Sequence, residues 1–282
     1  MAAGGDVADF VPINVEHNML RPESAYPPMP PDAPFHPNGM PKPELRAELR
    51  RIPNARNAVA VVSAVAQVVA VFAAVIVLGG RSWSWVVWVG AFFWMGRLNV
   101  NLFILGHEAA HRLLFTKRFW NDVIGRWVLS YPLFNNFDGY RRVHFAHHKD
   151  EMGPREPDNA LYVGYPIKPD SFRRKLTRDA IGRTGVRLMK QFLAGVARPK
   201  ARAVVIKSLA INAALFALLW WLGGPWLYPV LWLGPYFTIW RVLNRLRSLA
   251  EHGGMTRSDD RRKATHHIEQ SWVPRAIFVP YN

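Results

Sequence analysis

Five of the ten histidines in this chain fall between residues 107 and 148, and there is no cysteine. His107 and His111 form an HxxxH pair inside Gly106-His107-Glu108-Ala109-Ala110-His111. His144, His147 and His148 form an HxxHH cluster inside Tyr140-Arg141-Arg142-Val143-His144-Phe145-Ala146-His147-His148. On a helix, positions i, i+3 and i+4 share a face, so each group can turn its imidazoles toward one metal ion. Without cysteine there is no thiolate zinc site, iron–sulfur cluster, disulfide or thiol nucleophile. Any metal must be held by His, Asp or Glu. HEAAH also matches the HExxH helix of zinc hydrolases, with Glu108 as general base. That reading needs a third ligand, usually acidic, and gives the second cluster no role. Five imidazoles exceed what one tetrahedral zinc takes. Ligand type alone does not choose between iron, zinc and copper.

Four segments are apolar enough to position these residues at a membrane: Ala58 to Leu78, Ser82 to Leu105, Ala203 to Leu222 and Pro225 to Val242. About 20 apolar residues cross the hydrocarbon core. Gly79-Gly80-Arg81 joins the first two, and Gly223-Gly224-Pro225 joins the last two. Such short links predict two antiparallel hairpins. The N-terminus, residues 106–202 and the C-terminus then share one side. Arg46, Arg50, Arg51 and Arg56 precede the first span, and Arg241, Arg245 and Arg247 follow the last; Arg81 alone marks the other side. The positive-inside rule makes the shared side cytoplasmic. Trp83, Trp85, Trp220, Trp221 and Trp226 flank the short turns, where an interfacial aromatic belt belongs. The expected fold is an all-α membrane protein. Four transmembrane helices form two hairpins beneath a cytoplasmic helical cap that carries the histidines.

The net charge is +16, yet the basic residues alternate with long apolar stretches and form no nucleic-acid motif. No nucleic-acid partner is expected. Residues 170–195 read as one basic amphipathic helix lying on the membrane surface. Residues 1–43 hold ten prolines and no basic-then-apolar leader. They are expected to be an extended or disordered tail, with residues 44–282 as the membrane domain. Phe35-His36-Pro37-Asn38-Gly39 superficially matches a haem-binding HPGG, but the tail is too short for a cytochrome domain.

HEAAH, 32 residues, then HFAHH, set between two hairpins, resembles the membrane fatty acid desaturase and hydroxylase superfamily. Pro154-Arg155-Glu156-Pro157-Asp158, Lys175-Leu176-Thr177-Arg178-Asp179, Ile181-Gly182-Arg183-Thr184-Gly185 and Ala250-Glu251-His252-Gly253 resemble family sequence too. The resemblance implies a di-iron centre on His107, His111, His144, His147, His148 and His252. It implies oxygen as co-substrate, a lipid acyl substrate, and electrons from a separate ferredoxin-like or cytochrome-like donor. A basic cytoplasmic face suits an acidic donor. Desaturation is the expected outcome; hydroxylation or ketone formation within the same superfamily, a zinc protease, and a non-catalytic membrane protein are the alternatives. The family's third box would begin just after Asn282, so the domain is expected to be C-terminally incomplete. His266 and His267 do not fit that box and read as loop residues.

Carboxylates commonly orient ligating imidazoles. Glu108, Asp138 and Glu251 are candidates for that role, being next to the ligands in sequence. Arg97, Asn99 and Asn101 lie late in the second span. Polar groups at that depth are functional candidates. Arg97 is expected to snorkel to the interface, while the two asparagines could bond groups behind the ligands or line an acyl channel.

Overall fold

A computed structural model describes residues 22–157, 165–255, 257–263 and 271–272. His17, Asp158, His266 and His267 lie outside the described residues. The regular structure among the described residues is helical, apart from an isolated bridge between Phe35 and Pro41. Its first helices are α1 (Pro43–Leu49), α2 (Asn54–Leu78), α3 (Ser84–Ala110), α4 (Arg118–Trp127) and α5 (Phe137–Lys149). Then come α6 (Pro169–Ala180), α7 (Arg183–Leu193), α8 (Pro199–Gly223) and α9 (Ile239–His252).

Among the described residues, three helices are long and apolar enough to cross a membrane: the Ala/Val run ending at Leu78, α3 and α8. In α2 one stripe is buried, through Val61, Ala64, Phe72 and Val75. The remaining surface exposes Val59, Val62, Val69 and Val77. In water each exposed valine would forgo roughly 1.5 kcal/mol of burial; against lipid there is no such loss. The 27 residues of α3 span about 40 Å at 1.5 Å per residue. That exceeds the ~30 Å hydrocarbon core, so the helix has length to spare at the end bearing His107.

The segment expected as a fourth span is three helical pieces instead of one helix. A π-helical turn covers Pro229–Leu233, a short α turn covers Gly234–Phe237, and α9 starts at Ile239. Pro235 has no N–H for the i−4 carbonyl, which interrupts the ladder. Thr238 then directs both its N–H and its hydroxyl to the Gly234 carbonyl, at 3.1 and 2.7 Å. Leu227, Leu231, Trp232, Tyr236 and Trp240 bury this run among the other helices. Gly96 of α3 makes the close approach possible, since a Cβ there would meet Ile239 at 2.4 Å.

The expected single helix over 170–195 is likewise two. Gly182 sits at φ +81, a left-handed conformation that turns α6 into α7. Residues 22–42, expected to be extended or disordered, lie against the region after α9. The Arg262 guanidinium donates to the Pro27 carbonyl at 2.8 Å and stands over the Tyr26 ring, and the Arg261 N–H donates to Asn38 at 2.9 Å.

Candidate metal centre

Two elements carry the five histidines between residues 107 and 148. His107 occupies the last turn of α3, and His111 is the residue that closes it, with its N–H still bonded to the His107 carbonyl at 3.0 Å. Arg112, at φ 62, turns the chain away. α5 starts at an Asn136 cap, whose side chain accepts the Gly139 N–H at 3.0 Å. Its buried face bears Phe137, His144 and His147.

A polar clasp locks these helices together. The Arg141 guanidinium donates to the Ala110 and Ala109 carbonyls at 2.9 and 3.0 Å, and pairs with Asp122 at 2.6 Å. Asn121 adds a bond to the Ala109 carbonyl at 2.7 Å. The last carbonyls of a helix lack intrahelical partners, and α4 and α5 supply them. This fixes the height of His107 and His111 relative to His144.

The imidazoles then meet. Ring centres of His107, His111 and His144 lie 4.3 to 4.7 Å apart. His144 Nε2 stands 2.7 Å from His111 Nε2 and 3.1 Å from His148 Nε2. His107, His111 and His144 form one set whose ligand atoms lie within 4.8 Å of one another; His147, His148 and Glu151 form a second. His252, from the end of α9, reaches the second set, with its ring 5.0 Å from His147 and its Nδ1 3.4 Å from Glu151. A cleft of about 420 Å³, lined by Asn38, His148, Glu151 and Arg261 among others, opens beside it.

The donor chemistry fits a pair of cations. Burial, reinforced by the neighbouring imidazoles, holds His144 at about 2 and His148 at about 4, and lowers His111. All three are neutral near pH 7, with a lone pair to offer. A neutral imidazole carries one N–H, so three Nε2 atoms this close cannot all satisfy each other, and a cation among them would. Two Nδ1 atoms are occupied from behind. His147 Nδ1 bonds Glu156, whose other oxygen accepts the Met152 N–H. His107 Nδ1 lies 2.9 Å from the Tyr140 hydroxyl. With the Nδ1 proton donated to these oxygens, Nε2 is left to face a metal.

The other expected residues are placed variously. Glu251 pairs with Arg247 at 2.8 Å, one residue before His252, and burial raises its carboxyl. Asp138 faces Arg126, in a two-point contact at 2.8 and 2.9 Å, and not an imidazole. Glu108 is half-buried in the last turn of α3. Asn99 is fully buried, and neither polar atom of its side chain meets a partner among the described residues; Asn101 is half-buried. Arg97 lies over the Trp94 ring at 4.9 Å. Tyr140, Glu151 and the role of Glu156 were missed. Tyr140 was within reach, because it precedes His144 by four residues on one helical face.

Apolar helices long enough to span a membrane, with a histidine cluster at one end that could hold metal, define a helical membrane protein. The model of the family described as fatty acid desaturase matches residues 82–282, and the chain belongs to that family. It is 27% identical to dihydrorhizobitoxine desaturase of Bradyrhizobium elkanii over 69% of this chain and 60% of that protein. It is 30% identical to sn-1 oleoyl-lipid 12-desaturase of Anabaena variabilis over 35% of this chain and 28% of that protein. The chain therefore spans less than two thirds of either relative.

Proposed function

We propose that this protein desaturates a lipid acyl chain, using oxygen and two irons, with electrons from a separate donor. The observation that carries this reading is the convergence of imidazoles from α3, α5 and α9 at the end of the spanning helices. The names of both relatives specify desaturation, of different substrates, which favours that outcome over hydroxylation.

In this reading His107, His111 and His144 hold one ion, and His147, His148, Glu151 and His252 hold the other. When bound, the irons supply the oxygen activation needed to break an unactivated C–H bond. The protein does the rest. Glu156 and Tyr140 hold protons at Nδ1 of His147 and His107, so that each ring presents Nε2 inward. Arg141 keeps the two histidine helices in register. Glu108, Glu251 and the two asparagines serve as supporting polar groups, and the helical wall of α3 and the broken run keeps water from the acyl chain.

The broken run is proposed to complete a fourth crossing, pairing with α8 as α2 pairs with α3. Residues 44–282 then act as one membrane domain, with both termini and the histidine face in the cytoplasm. The basic surface there would receive an acidic electron donor. The test is expression in a host of known lipid composition, followed by gas chromatography–mass spectrometry of the acyl chains. A new double bond is expected. A hydroxyl or ketone product would move the protein to another branch of chemistry.

A further inference from the structure

The junction of α6 with the start of α9 holds an excess of hydrogen-bond donors. Arg241 lays its guanidinium over the rings of Tyr236 and Trp240, at 4.3 and 4.2 Å. Two aromatic faces hold it in place, unlike a side chain that snorkels freely. Its Nε and Nη2 are buried and meet no acceptor at good geometry among the described residues. The Tyr236 phenol also interacts with this guanidinium. Trp240 Nε1 and Arg178 Nε are also buried without an acceptor among the described residues.

The local carboxylate does not answer this excess. Asp179 is fully buried and is held by Arg245 and by the Thr184 hydroxyl. Arg178 Nε stays 3.7 Å from it. Lys175, Arg178, Arg241 and Arg245 all feel this one carboxylate. Arg241 as a whole is half-buried.

Position gives the site a purpose. Trp240 packs on Phe103 of α3 at 5.5 Å, Phe103 on Tyr140 at 5.3 Å, and Tyr140 bonds His107. A row of aromatic rings thus links the guanidinium to the histidine cluster.

We propose that Arg241, with the neighbouring Trp240 N–H, binds the anionic head of the acyl substrate, a carboxylate or phosphate. The acyl chain then runs along the aromatic row toward the histidines. This rests on the lipid-desaturase reading and names its substrate class: acyl chains that carry a negative head, in preference to neutral ones. Guanidinium–phosphate bonds are charge-assisted and directional, and a lysine reproduces only their charge.

The test is equilibrium binding to the full chain in neutral detergent, so that turnover is not needed. The probes are oleoyl lysophosphatidate and monooleoylglycerol, which differ by the phosphate. The wild type should bind the phosphate form about tenfold more tightly or better. Arg241→Gln should erase that preference while leaving monooleoylglycerol binding unchanged. Arg241→Lys should keep part of it, and Arg187→Gln, an exposed arginine of α7, should keep all of it. A wild type without preference, or an Arg241→Gln protein that retains it, overturns the proposal, and if that variant does not fold, the wild-type ratio and Arg241→Lys still decide. Displacement of lysophosphatidate by inorganic phosphate alone, with monooleoylglycerol still bound, would mean a free-phosphate site and would overturn it too. Binding of neither amphiphile would sink the lipid reading beneath it.

Discussion

Arg141 and His144 stand less than one turn apart on α5, yet the networks around them are opposites. The Arg141 clasp is closed: its donors meet two carbonyls and Asp122. The histidine cluster is open: three Nε2 atoms face each other without protons enough to go round. A closed network stabilises a fold, and an open one costs stability unless something else completes it. The contrast separates the residues that hold the site from those that are the site.

Three substitutions test that division. His144→Ala should have the largest effect, because His144 touches both neighbouring rings. Bound iron, read by elemental analysis of the purified protein, should fall below half of wild type, and desaturation should be lost. Unchanged iron would remove His144 from the centre. Glu156→Gln should be next. It releases the His147 Nδ1 proton from a charged acceptor, and groups of this kind alter metal affinity by roughly 10–100-fold. A titration with iron against a competing chelator reads the shift, and no shift would reduce Glu156 to a loop contact. Arg141→Met should be the mildest for the metal and act on the fold instead. It removes the donor of the Ala110 carbonyl and the shortest ion pair of Asp122, leaving the Ala109 carbonyl to Asn121, at about 2 kcal/mol. The thermal midpoint in detergent should drop while the folded fraction keeps its iron. Loss of iron without loss of stability would break the distinction between clasp and site.

Part of this was legible in the sequence. Two histidine groups at helical spacing, next to an apolar run, are local patterns, and the rings do share a face in each case. His252 could be placed only through family resemblance, since no spacing links it to the others. Asp138 shows how adjacency misleads. Six residues before His144, it lies well round the helix and meets Arg126. Glu156 reaches His147 across a turn with no periodicity to reveal it. The broken fourth segment was half visible: Pro229 and Pro235 both stand in it. Hydropathy counts such a run as a span, because it registers apolarity and not a missing N–H. In the sequence Arg141 is one basic residue among many. Its partners are backbone carbonyls of another helix, which no side-chain pattern displays.

The contact between Arg262 and Pro27 joins residues 235 positions apart. During synthesis, the first of these emerges long before the second. The amino-terminal segment must therefore wait, unseated, while α2, α3 and α8 are made. Its docking belongs to the last stage of assembly, after the helices that frame the histidines have formed.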